Sequence, residues 1–131
     1  MGSFRHVRCA SGTILLSLLI LLFAPGPSGA EHILKVNATA YNSVPDQTQG
    51  NLTITAWGDR LVPAMKAIAV SRDLIPMGLT HGVKVNIEGL PSTYTVMDKL
   101  HKQWKRQIDI YMGNDVEAAK KWGKRQVTIR W

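Results

Sequence analysis

From residue 33 onward the chain alternates apolar and polar positions in six short runs. These are "ILKVNATAY" (33–41), "AIAVS" (67–71), "VKVNIEG" (83–89), "TYTVM" (93–97), "QIDIYM" (107–112) and "QVTIRW" (126–131). A period of two sends successive side chains to opposite faces of a strand, so each run predicts a strand with one buried face. Glycine, proline or asparagine separates the runs, and "EGLPS" (88–92) predicts a turn between two of them. Six strands within about a hundred residues predict a small closed or nearly closed β-structure.

One segment breaks the alternation. Asn114 with Glu117 three residues on has the form of a capping box, Asp115 adds negative charge to the first turn, and Lys120 and Lys121 sit in the last. Gly123 ends the predicted helix, and Val116, Ala119 and Trp122, three apart, are expected to face the barrel. Residues 42–64 read as a long loop carrying Trp57, Gly58 and Asp59, with at most a short strand in "LTITA" (52–56).

The amino terminus removes itself from this picture. Arg5 and Arg8 precede the apolar run "ILLSLLILLF" (14–23), which is too short to span a bilayer comfortably. Pro25 and Pro27 break the run, and Ser28, Gly29 and Ala30 are the small residues a signal peptidase needs. Residues 1–30 are therefore expected to be a signal peptide and 31–131 a single domain, placed in the periplasm, at the outer membrane or in the extracellular wall, with no stable membrane span after cleavage. Cys9 precedes the apolar run, where a lipoprotein cysteine would follow it. No cysteine remains after residue 30, so the domain has to fold without disulfides.

Charge then narrows the partners. Residues 31–131 hold all nine acids and fourteen of the sixteen Lys and Arg, a net charge of +5. Outside the cytoplasm a basic domain meets headgroups, cell-wall polymers or acidic saccharides rather than nucleic acid. His32, His81 and His101 are scattered without paired spacing, and zinc needs three or four converging ligands, so neither a metal nor another cofactor is expected. The stretch "YTVMDKLHKQWKRQIDIYMG" (94–113) sets Asp98 and Asp109 at the ends of a run of bases. From the residues alone ion pairing with Lys99 or Lys102 is the simpler account of Asp98, and Asp109 reads equally as a buried acid or a reactive one.

Several runs taken in order resemble the 3D domain family, named for three aspartates: "ATAYN" (38–42), "TAWG" (55–58), "IAVSRDLIPMG" (68–78), "VNIEG" (85–89), "VMD" (96–98) and "IDIYMG" (108–113). That family is related to the carboxyl-terminal part of membrane-bound lytic transglycosylase A and, more remotely, to expansin-like double-psi β-barrels. The resemblance implies a mainly β fold, a six-stranded double-psi barrel with a carbohydrate-facing groove. It also implies cleavage of the glycan strand of peptidoglycan between MurNAc and GlcNAc with a 1,6-anhydro product. Asp98 stands where the family has its catalytic acid, and Asp109 where it has its third aspartate. The first aspartate is replaced by Ser71, with Asp73 two residues on as the nearest acid. The glycine-rich segment common after the second aspartate is "KLHKQWKRQ" (99–107) here, and bulky cations do not permit the close backbone approach that glycines do.

The implied chemistry asks one carboxyl group to protonate the glycosidic oxygen and then to take the proton of the C6 hydroxyl. Burial near Val96 and Met97 would raise the pKa of Asp98 for the first step, and Lys99 would lower it. If residues 93–97 and 107–111 pair about a connection centred between Gln103 and Trp104, Asp98 and Asp109 meet across the strands. Tyr41 and Trp57 are the candidate aromatic faces for a sugar, Trp104 joins them from the basic connector, and Lys99 is the candidate cation. Trp122 and Trp131 are expected to fill core. The expected partner is peptidoglycan or another anionic cell-wall glycan, and the alternative function is a non-catalytic module that binds such a glycan.

Overall fold

The computed structural model describes residues 31–43 and 54–131, so the expected signal peptide and the first two residues of "LTITA", Leu52 and Thr53, lie outside the described residues. Strands β1 (Ile33–Tyr41), β2 (Ala67–Val70), β3 (Lys84–Ile87), β4 (Thr93–Lys99), β5 (Gln107–Tyr111) and β6 (Arg125–Arg130) follow the six alternating runs, and helix α1 (Val116–Trp122) precedes β6. The strands close into a barrel in the order β1-β5-β2-β4-β3-β6. Two pairings, β1 with β5 and β2 with β4, are parallel, and the others are antiparallel. Closure leaves no unpaired edge.

Alternation puts one residue in two inside. Val36 and Ala38, Ile68 and Val70, Val85 and Ile87, Tyr94 and Val96, Ile108 and Ile110, and Val127 and Ile129 form the barrel core. Burying this side of every strand is what the period of two in the sequence is for. Trp122 closes the core from α1, its indole N–H donating to the Ala38 carbonyl at 3.3 Å. Trp131 packs against the core and stacks on His32, with ring centroids 5.1 Å apart.

Two local expectations are corrected. The side chain that caps α1 is Asp115, whose Oδ1 accepts the Ala118 N–H at 2.9 Å, rather than Asn114. Val116 is exposed rather than turned to the barrel, because a seven-residue helix anchored at Trp122 has room for little more than one inward position per turn.

The condition under which Asp98 and Asp109 would meet across a hairpin, direct pairing of β4 with β5, is not met. β2 lies between them, parallel to β4 and antiparallel to β5. The connector 100–106 is therefore not a hairpin loop; it crosses the end of β2, where Arg72 Nε donates to the Leu100 carbonyl and Ser71 N–H to the Gln107 carbonyl. Among the described residues no helix is long and apolar enough to cross a membrane.

Candidate functional site

The register of four adjacent strands builds one row on the outside of the barrel. Thr39 of β1 lies opposite Asp109 of β5, Asp109 opposite Ala69 of β2, and Ala69 opposite Asp98 of β4. Residues paired across strands share a face, so Thr39, Ala69, Asp98 and Asp109 point the same way. Asp98 reaches this face only through an irregularity. Ile68 pairs with Val96 and Ala69 with Asp98, so Met97 is an extra residue, a β-bulge that turns both Met97 and Asp98 outward after the buried Val96. Strict alternation would have sent Asp98 into the core.

Ala69 is the small residue between the two acids. It is only 3% exposed, so the neighbouring side chains close over it and the two carboxylates flank a covered strand. One end of the same face is covered: Leu61, Ala67 and Tyr111 are buried with Tyr41, Met65 and Met97 packed against them. Gly113, at φ +57°, lets the covering segment sit close, since a Cβ there would lie 2.4 Å from the Pro63 carbonyl oxygen. The Tyr111 hydroxyl and Ser43 Oγ are 2.6 Å apart, tying the end of β1 to β5.

Asp98 has no ion-pair partner among the described residues. Its Oδ1 accepts the backbone N–H of Ala56 and of Lys99, both at 2.8 Å. Ala56 belongs to a tight loop in which Ile54 bridges Arg60 and the Thr55 and Asp59 main chains are bonded at 2.8 Å. His81 holds that loop to the barrel through Asp59, and Trp57 packs edge-on against His81 at 5.1 Å. Lys99 Nζ lies 5.8 Å from the centre of the Trp57 ring. Trp57 and Lys99 thus mark the Asp98 side of the groove.

Asp109 is set differently. Thr39 Oγ1 donates to its Oδ1 at 3.1 Å, and Gln107 Nε2 donates to Thr39 Oγ1 at 2.9 Å. Burial raises the Asp109 pKa, the Thr39 hydrogen bond offsets part of the rise, and the charge of Asp98 adds to it. Tyr41 stands beside both acids: burial first, then Asp98 and Asp109, push its phenol up, and its buried hydroxyl has no hydrogen-bond partner. Its ring packs on Tyr111 at 5.3 Å and its hydroxyl is buried, so Tyr41 is a packed neighbour of the two acids rather than the open aromatic face expected for a sugar.

Ser71 and Asp73 do not join the row. Ser71 is fully buried, with Oγ accepting the Gln107 N–H at 3.0 Å. Asp73 Oδ2 accepts the N–H of Arg106, a non-glycine residue at φ +46°. Burial acts to raise the Asp73 pKa, but Ser71, the Arg106 N–H and Lys105 together bring it below the usual carboxylate range. This carboxylate shapes the connector 100–106. The connector in turn overhangs Asp109: Thr39, Leu100, Trp104, Gln107, Asp109 and Lys124 line a cleft of about 220 Å³. Among the described residues no three His, Cys, Asp or Glu side chains come together as a metal site requires.

No family model matches the chain, and no curated protein matches it. Solved structures do. The apo expansin of Clavibacter michiganensis superposes with a TM-score of 0.50 at 17% identity, over 75% of this chain and 49% of that one. The barrel has the expansin fold. A variant expansin of Clavibacter michiganensis in complex with cellohexaose gives a TM-score of 0.45 at 20% identity, over 76% and 48%. The chain thus spans about half the length of these expansins. The remote double-psi relationship expected from the sequence is the one that the structural likeness supports.

On this expansin-type barrel, Thr39 and Ala69 complete the row, Gln107 supports it through its hydrogen bond to Thr39, and none of the three was singled out from the sequence. Thr39 lies in "ATAYN" and shares a strand face with Tyr41 by alternation, which was the available signal. Ala69 and Gln107 carried none, because their importance lies in register.

Proposed function

We propose that the chain is a glycan-binding domain of the cell envelope, with peptidoglycan as its partner and the Thr39-Asp109-Ala69-Asp98 row as the floor of its binding groove. The observation that carries this reading is the convergence of those residues on one outer face, flanked by Trp57 on the Asp98 side and Trp104 on the Asp109 side. Paired acids offer acceptors to sugar hydroxyls, and the two indoles offer apolar faces to pyranose rings. The net charge of +5 over residues 31–131 suits an anionic wall polymer. The expansin fold supports a wall-related role, since the expansin of the solved complex holds cellohexaose. An exported location follows from the expected signal peptide.

Sedimentation with purified sacculi tests this reading. The protein is expected to pellet with them at low salt and to be released as salt rises, because screening weakens the contribution of its cations. A protein that stays in the supernatant at low salt contradicts the reading.

A second reading adds bond cleavage at the same groove, and the unlike settings of the two acids favour it. Carboxyl groups held in different environments can divide acid and base roles. In this reading Asp109, with its raised pKa, donates its proton to the glycosidic oxygen as the C1–O bond breaks; the C6 oxygen then bonds to C1 and its proton passes to Asp109. Asp98 faces the developing positive charge, so the roles are reversed from those the 3D resemblance implies. Mass analysis of digested sacculi separates the readings: 1,6-anhydromuropeptides that vanish in Asp109→Asn support cleavage, and their absence from the unaltered protein leaves binding alone.

A further inference from the structure

We propose that the cleft beside Asp109 is a subsite for one sugar unit bearing a carboxylate, with Lys124 as the residue that selects the acidic sugar and Trp104 as its platform. This rests on the glycan-binding reading and names the class of glycan. At about 220 Å³ the cleft falls below the ~300–1,000 Å³ of pockets for drug-sized ligands, so it takes a single ring and not an oligomer. Its walls are of two kinds. Leu100 and the exposed Trp104 present apolar surface, which suits the C–H face of a pyranose. Thr39, Gln107 and Asp109 form a hydrogen-bonded polar floor for the hydroxyl edge, already ordered by the Gln107-to-Thr39-to-Asp109 chain.

Lys124 makes the site more than a generic sugar pocket. Its neighbour Arg125 is committed to the protein: Nε donates to the Trp122 carbonyl, a terminal nitrogen donates to the Lys121 carbonyl, and the guanidinium stacks 4.1 Å from the Trp122 ring. Lys124 lines the cleft and, among the described residues, enters no ion pair. Lys102, Lys105 and Arg106 of the connector likewise enter none, though Lys105 acts electrostatically on Asp73 and none of the three lines the cleft. The acid within it, Asp109, is held at the floor by the Thr39 hydroxyl. A neutral ring would satisfy the floor and the platform and leave the ammonium group unused. A ring with a carboxylate satisfies all three. That carboxylate can belong to a uronic acid or to the lactyl ether of a muramic acid.

The test is equilibrium binding of the full chain, at low salt, to three soluble probes of equal length: oligogalacturonate, a peptide-free MurNAc-GlcNAc oligomer, and a neutral cello-oligosaccharide. At least one acidic probe is expected to bind about fivefold more tightly than the neutral one, the upper end for a partly exposed ion pair. Lys124→Met is expected to remove that preference and leave the neutral affinity unchanged, whereas Lys35→Met, a control on the outside of β1, leaves the preference intact. Trp104→Ala is expected to weaken all bound probes about tenfold. The acidic probe that loses affinity in Lys124→Met identifies the source of the carboxylate. Equal binding of acidic and neutral probes, or an equal effect of Lys124→Met on both, overturns the subsite and leaves the glycan-binding groove standing. Binding of none of the three overturns the groove as well.

Discussion

Asp109→Asn is expected to raise the melting temperature near neutral pH by roughly 4 °C, the change that about 1 kcal/mol produces in a domain of this size. The sign follows from the environment of the group. Burial and the charge of Asp98 raise the folded-state pKa of Asp109, against the smaller opposing effect of Thr39, so the folded protein disfavours the ionised carboxylate. Above the folded pKa that charge costs stability. Below the unfolded value of about 3.9 the carboxyl is neutral in both states and the cost is gone. Asparagine keeps the shape and an acceptor for Thr39 without the charge. The gain is therefore expected to be full at neutral pH, to shrink as pH falls through the folded pKa, and to vanish near pH ~3. Melting curves of both proteins across pH measure it. A lower melting temperature at neutral pH, or a gain of the same size at pH ~3, contradicts the account. A stabilising substitution at this position would mark a residue retained for function at a cost in stability. Under the cleavage reading the same change lowers product formation by at least about a hundredfold.

Gly113→Ala is expected to act in the opposite direction and more strongly. Its Cβ would lie 2.4 Å from the Pro63 carbonyl oxygen and 2.9 Å from Pro63 Cα, both backbone atoms that no rotamer change can move aside. The left-handed conformation at φ +57° costs a residue with a side chain about 1 kcal/mol, and displacing the packed backbone adds about 2 kcal/mol. A loss of about 3 kcal/mol corresponds to a fall of ~12 °C or more in melting temperature. The damage has a direction. Pro63 lies between Leu61 and Met65, which cover Tyr41 and Tyr111, and the same segment leads back to Ala56, whose N–H holds Asp98. The variant is therefore expected to lose sacculus binding before it loses the barrel. A melting temperature within ~2 °C of the original would contradict the close approach described here.

The barrel was legible because its strands bury one face each. Alternation located all six, and the "EGLPS" turn fell between β3 and β4 as expected. What alternation cannot carry is the order in which strands meet, since each core-facing row of Val, Ile and Ala fits several neighbours equally well. For that reason the meeting of Asp98 and Asp109 was conditional on β4 pairing with β5, which does not occur. They face each other across Ala69, not across a hairpin. The bulge at Met97 was equally silent, because an extra residue in a strand leaves no mark on composition. The cap of α1 shifted by one residue because Asn114 and Asp115 are both competent caps and only the backbone decides between them.

The bases of the connector also change meaning once placed. As a sequence, Lys99 and Lys102 were candidates to pair with Asp98. In the fold Asp98 is held by two backbone N–H groups, Asp109 by Thr39, and Lys99 lies over Trp57. Asp73, which had been a candidate for the missing aspartate, instead fixes the backbone of Arg106 and so the path of the connector. Ser71 acts within the same structural tie, on the Gln107 N–H. The cations are thus left facing outward, where an anionic polymer would meet them.

Glycan is expected to lie along the row from Thr39 to Asp98. Amide chemical-shift mapping of the labelled protein, titrated with solubilised peptidoglycan strands, locates it. The largest changes are expected on Thr39, Ala69, Asp98 and Asp109, with Ala56 and Trp104 at the two flanks. Changes confined to the opposite side of the barrel, at Lys84, Asn86 and Thr128, or no changes at saturating glycan, would contradict this placement.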